Sequence, residues 1–112
     1  FKKLIVETRC LIPATSFFEW AKPSKIKREI TSNHQKIFSM AGIYRLFKTE
    51  DHQEVYEFSI LTMPSNEDME SLHDRMPVIL SPAYELVYLD EKTPLQEVLQ
   101  VCQQANPSLQ IQ

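Results

Sequence analysis

The chain has 112 residues, 43% of them hydrophobic, and 12 Lys and Arg against 15 Asp and Glu give a formal charge of −3. That size and apolar content suit one compact domain or a large piece of one, and the slight acidity argues against a protein that coats long duplex DNA by counterion release. No stretch approaches the ~20 apolar residues of a membrane span, and the two cysteines, Cys10 and Cys102, form neither a metal-spacing pair nor an extracellular framework, so a reducing cytoplasm is expected.

The start, Phe1-Lys2-Lys3-Leu4, has no initiator methionine and no secretory pattern. The reading is a protein whose first part is absent here, with a trimmed but complete protein as the alternative. Arg9 to Ala14 reads as a short buried strand, and Phe17 to Trp20, dense in aromatics, as a second. Ala21-Lys22-Pro23-Ser24 is turn-like, and Lys25 to Thr31 reads as an edge strand. Ile37 to Phe47 and Val55 to Met63 are joined by a polar connection and predict a hairpin whose Val55, Phe58, Ile60 and Leu61 pack on at least one side. Gly42, the single glycine, marks a bulge or a close backbone approach.

Ser65 or Asn66 is placed to cap a short helix from Glu67 to Leu72, with His73 just past its end. Pro77 to Leu80 is an apolar strand-like run. Ser81-Pro82 starts a helix with Leu86 and Leu89 or Val87 turned inward. Thr93, Pro94 and Gln96 match the start of a last helix with a stripe of Leu95, Val98, Leu99 and Cys102. Ser108 to Gln112 is a tail or one more strand docking through Leu109 and Ile111. The fold class is α+β: a compact, mostly β domain with short peripheral helices, spanning residues 1–112.

Two acid–base candidates stand out. Glu19 lies between Phe18 and Trp20; strand alternation turns it away from both, toward the side of Phe17. In a partly dry pocket there its carboxylate would titrate higher and suit proton transfer near neutrality; the plainer reading is an exposed strand carboxylate. His73, beside Asp74 and Arg75, is the side chain best suited to exchange protons near neutral pH, and Arg75 has the planar fork that holds a phosphate; the plainer reading is a satisfied helix-end cluster. Lys22, Lys25, Lys27, Arg28 and Lys36 bias the region after Trp20 toward positive charge, as a solvated loop or a phosphate contact. His34, His52 and His73 are scattered, so no metal site is expected. There is also no glycine-rich phosphate loop and no nucleophile elbow, so no cofactor is expected.

Arg9-Cys10-Leu11-Ile12-Pro13-Ala14, followed closely by Phe18-Glu19-Trp20, is similar to the signature of the SOS-response-associated peptidase family, the sensors of abasic sites in single-stranded DNA. Ile60-Leu61-Thr62 and His73-Asp74-Arg75-Met76-Pro77-Val78-Ile79-Leu80 resemble its second block, and Ala41-Gly42-Ile43-Tyr44 resembles its central strand. The resemblance covers nearly all of this chain but only the later part of a family member. It implies a largely β fold and an amino-terminal cysteine unmasked by self-cleavage. The amine and thiol of that cysteine capture the ring-opened aldehyde of an abasic deoxyribose as a thiazolidine. By motif, proton transfer falls on Glu19, and ring opening, Schiff-base chemistry and reversal on His73. Arg75 is implied to support a phosphate or the site geometry, and Trp20, Phe17 and Phe18 read either as core aromatics or as rings that stack on an unpaired base, which would make Trp20 and Phe17 DNA-binding or site-support residues. The implied setting is cytoplasmic or nucleoid-associated, with peptidase and lyase-like chemistry in the parent protein.

The chain departs from that pattern at its start. Phe1 does not replace the amino-terminal cysteine, Cys10 is the ordinary cysteine of the Arg-Cys-Leu motif, and residues 1–8 lack the site-lining Asn of the family. The chain alone is therefore expected to be inactive. An open sheet edge is expected, to be covered by the missing amino-terminal segment or by a second copy. Two other readings stay open: a non-enzymatic β-rich interaction or dimerisation module, and a hydrolase that activates water with Glu19 and His73.

Overall fold

Strand pairing about one long strand organises the chain. The computed structural model describes residues 2–112, the Lys2 side chain apart; Phe1 lies outside the described residues. The elements are α1 (Lys2–Glu7), β1 (Arg9–Ala14), β2 (Phe17–Trp20), β3 (Lys27–Ser32), β4 (Phe38–Lys48), β5 (Glu54–Ile60), β6 (Thr62–Pro64), β7 (Arg75–Pro77), β8 (Ile79–Leu80), α2 (Pro82–Leu89), α3 (Leu95–Gln103) and β9 (Leu109–Ile111). β4 pairs antiparallel with β1, β5 and β8; β3 lies between β2 and β9; β6 pairs with β7.

The alternation of β4 divides the core in two. Met40 lies opposite Ile12 and Ile79 and joins Ile30, Phe38, Met69, Met76 and Leu109 in one cluster. Ala41, on the other face, joins Leu80 and Leu11 and meets Tyr88, Val98, Val101 and Cys102 of α2 and α3. The period of two in the strand thus places one sheet between the second sheet and the helices.

Three residues fix this arrangement. Gly42 keeps its strand register with Cys10 and with Ile60, so no bulge occurs there. Close approach is the reason for the glycine: a Cβ would collide with the Ile12 Cδ1 and meet the Cys10 sulfur at 3.0 Å and the Ser59 carbonyl at 3.2 Å. The buried Tyr88 hydroxyl donates to the Gly42 carbonyl at 2.7 Å, and burial holds that phenol well above its usual titration range. Arg9 gathers the last carbonyls of two helices. Its guanidinium donates to Ile5 at 2.6 Å, Val6 at 3.2 Å and Asp90 at 2.8 Å, and to the Tyr88 carbonyl. Those carbonyls lack intrahelical partners, and a cation is favoured beside them.

Several expectations are corrected. α1, six residues long, carries no sequence signal of its own and leans on Arg9 and on Ile5 packing. β3 is a central strand, because the chain's last residues return as β9 beside it. Residues 67–72 form successive turns, not a helix; the Asn66 side chain accepts from the Asp68 and Met69 amides and so caps the first turn. The inward residues of α2 are Tyr88 and Val87, with Leu86 and Leu89 outside. In α3, Val101 replaces Leu99 in the buried stripe, and Pro94 occupies the N-cap with no side-chain bond from Thr93. The apolar side chains of β5 are largely uncovered, because the core of β4 stops at Ile43.

Filling the contact at Gly42 should be costly. Gly42→Val is expected to lower stability by about 1–3 kcal/mol through overpacking, read as a reduced urea midpoint with an unchanged slope. An unchanged midpoint would contradict the close-approach account.

Candidate functional site

β1 runs through Thr15-Ser16 into β2, whose side chains alternate between partly buried and exposed. Phe17 points inward and meets Phe38 edge-on, with ring centroids 6.4 Å apart. Glu19 shares that inner side, while Phe18 and Trp20 are about half exposed on the other. Phe17 therefore supports the strand from beneath and does not present a stacking face. Lys27, from β3, sits over both outer rings, its ammonium 4.4 Å from the Phe18 centroid and 5.8 Å from the Trp20 centroid.

His73 arrives from the far side of the sequence. The turns capped by Asn66 end where the His73 amide donates to the Met69 carbonyl at 3.0 Å, and Ser65 donates to the Asp74 carbonyl at 3.1 Å. β6 and β7 then pair, burying Met76. This places the His73 Nε2 3.7 Å from the Glu19 Oε1, with side-chain exposures of 20% and 24%. The two acid–base candidates share one partly sheltered spot.

The ring's other nitrogen fixes its orientation. The Arg75 amide donates to His73 Nδ1 at 3.1 Å, so Nδ1 is an acceptor and the neutral ring carries its proton on Nε2, facing Glu19. Asp74 also approaches Nδ1, at 3.2 Å. Both contacts cannot be hydrogen bonds of a neutral ring, since Asp74 would need a proton on Nδ1. The backbone contact governs, because Asp74 is 79% exposed and its charge is screened by water. Lys22 reaches the same Asp74 carboxylate at 3.9 Å, an exposed pair of small energetic weight.

Arg75 extends outward from β7 and donates to the Thr62 hydroxyl at 3.1 Å. Thr62 stands in the second sequence block, but its part in orienting Arg75 follows from the β6–β7 pairing, which carries no local signal. Lys27 was legible only as one of several charges. Arg28 is used structurally, donating to the Gln112 carbonyl at 2.6 Å.

Neither thiol is poised to attack. Burial raises Cys10, and it raises the buried Cys102 to about 11, so both stay protonated near neutrality. Among the described residues no group of three His, Cys, Asp or Glu side chains is arranged to hold a metal. A groove of about 530 Å³ between β8, α3 and the residues before β9 lies apart from Glu19 and His73. It offers no acid–base pair, and the chemistry rather than the concavity selects the site.

A model of the SOS response associated peptidase (SRAP) family matches residues 1–112. Abasic site processing protein YoqW of Bacillus subtilis is 39% identical over 103 residues, covering 89% of this chain and 46% of that protein. Abasic site processing protein HMCES of Xenopus tropicalis is 29% identical over 92 residues, covering 64% of this chain and 28% of that protein. A crystal structure of a Bacteroides thetaiotaomicron protein matches with a TM-score of 0.88 at 28% identity, over 99% of this chain and 52% of that one. The chain spans about half the length of the bacterial relatives it matches.

The orientation of the imidazole is open to direct observation. In its neutral form, His73 should show ring ¹⁵N shifts of the Nε2–H tautomer. The Nδ1–H tautomer would mean that Asp74, not the Arg75 amide, sets the ring.

Proposed function

The chain belongs to the SOS response associated peptidase family, and on that premise we propose that it supplies the proton-handling half of a site that captures abasic lesions in single-stranded DNA. The observation that supports this most is the 3.7 Å approach of the His73 Nε2 to the Glu19 Oε1 from segments far apart in sequence. That separation is longer than a hydrogen bond, as acid–base partners often are before substrate draws them together.

The proposed chemistry is capture of the ring-opened deoxyribose aldehyde. A primary amine adds to the aldehyde carbon, and the carbinolamine loses water to give an imine. A thiol then adds to the imine carbon while its proton passes to nitrogen, closing a thiazolidine. The amine must lose a proton to attack, and the leaving hydroxyl must gain one. Glu19, an acceptor when ionised, takes the first role; His73, with its Nε2–H toward the same spot, takes the second. His73 acts likewise on the sugar ring oxygen during ring opening. The amine and thiol belong to an amino-terminal cysteine of the complete family protein, since the nitrogens of the internal Cys10 and Cys102 are tied up in peptide bonds. The same cysteine is exposed by removal of the initiator methionine.

The surface beside the pair fits an unpaired strand. Trp20 offers an exposed ring to a base freed from its stack. Arg75, oriented by Thr62, offers a charged fork to a phosphate.

The test is adduct formation between the complete protein and a single-stranded oligonucleotide bearing one abasic site. A denaturation-resistant adduct is expected, and Glu19→Gln or His73→Gln should slow its formation by roughly 10²-fold or more, with the fold intact by circular dichroism. The 112-residue chain alone should yield none. Adduct formation at the parental rate in both variants would remove the pair from the mechanism.

A further inference from the structure

One face of the β4–β5 hairpin is apolar and uncovered. Residues directly opposite across an antiparallel pair share a face, so the pairings of Leu46 with Tyr56, Tyr44 with Phe58 and Gly42 with Ile60 line these side chains on one side. Leu46 is 47% exposed, Tyr56 67%, Phe58 63% and Ile60 37%. The same face carries Met40, Ile12 and Ile79 further along β4, and there it is core. A single apolar surface therefore begins inside the protein and runs out into solvent. It ends where Lys48 faces Glu54 at the hairpin tip.

The backbone is uncovered as well. β1 pairs with β4 only from Phe38 to Ile43, and Tyr44 donates to the Thr8 carbonyl; beyond that point this side of β4 has no strand partner among the described residues. Among the described residues β5 pairs only with β4. Unpaired edges flanking an apolar face of this kind mark an interaction surface rather than a finished exterior.

We propose that this face seats the half of the family domain that lies outside these 112 residues. The occupant follows from length and fold together. The matched crystal structure keeps this chain's fold over 99% of it within a chain of which that match is only 52%, so a comparable length of polypeptide must pack somewhere on this unit. The hairpin face offers it a continuation of the core and two sheet edges to extend. A strand-forming segment with apolar alternation fits both features at once. The inference needs no DNA chemistry, so it stands or falls separately from the proposed function.

The complete gene product, without DNA, provides the test. Its backbone amides at 55–60 should exchange at least ~10-fold more slowly than those of the exposed turn at 49–53. Phe58→Asp should lower its melting temperature by about 5 °C or more, whereas Leu86→Asp, at a 78% exposed position of α2, should leave it unchanged. Equal melting temperatures for the two variants would overturn the assignment. So would fast exchange at 55–60, or a gene product no longer than this chain. A stable dimer that Phe58→Asp separates would overturn it in favour of a second copy.

Discussion

The double pairing of β4 is the constraint on which the rest depends. On one side of this strand lies β1, carrying the first sequence block; on the other lie β8 and the chain around it, carrying the second. A closed set of backbone bonds ties the second block to β4. Ala41 donates to the Val78 carbonyl at 2.8 Å, Val78 donates to Leu61 at 2.9 Å, and Leu61 donates to Ala41 at 2.9 Å. Each of these amides would be left buried and unpaired if one strand shifted. Because β1 leads directly into β2, and β7 leads into β8, holding both blocks against β4 brings Glu19 and His73 to one place. The convergence is thus a consequence of sheet register, not of any attraction between the two side chains.

The residues around β4 make that register unambiguous. Gly42 allows β1 and β5 to close on the strand at a point where any side chain would intrude. Tyr88 ties α2 to the Gly42 carbonyl, and Arg9 ties α2 to α1 by gathering their terminal carbonyls. Much of what the first block contains is therefore architectural. Arg9, Cys10, Leu11 and Ile12 hold the frame, and Glu19 is the member of the following strand that faces His73.

The strands were legible because β-branched and aromatic runs bounded by Pro, Ser and Asn have few alternatives; β1, β2 and the β4–β5 hairpin all form close to where the sequence places them. The inward turn of Glu19, away from Phe18 and Trp20, follows from a period of two and is what the fold shows. What the sequence hid was tertiary. β3 reads as an edge because Ser108 to Gln112, legible as a tail or a strand, gives no sign of which strand it would join, and α1 has no cap or stripe because Arg9 stabilises it from outside. Leu86, Leu89 and Leu99 look like core by type, yet helix rotation is set by Tyr88 and Val101 packing on β4. In β5, Tyr56 and Phe58 have the composition of packed residues because the surface that they continue is core elsewhere. The Asn66 turns fail as a helix because Pro64, the β6–β7 ladder and Asp74 close the segment after too few residues. At the site, the roles of Thr62 and the Arg75 amide were invisible, since both depend on a pairing between three-residue strands.

The central claim is that Glu19 and His73 act as one unit. A double-mutant cycle on the rate of adduct formation with abasic single-stranded DNA, using the complete protein, tests it most directly. Residues that share one proton-handling task give strongly non-additive losses. Combining Glu19→Gln with His73→Gln is therefore predicted to slow the reaction little more than the worse single change does. Losses that simply multiply, each variant acting as though the other residue were elsewhere, would contradict the account.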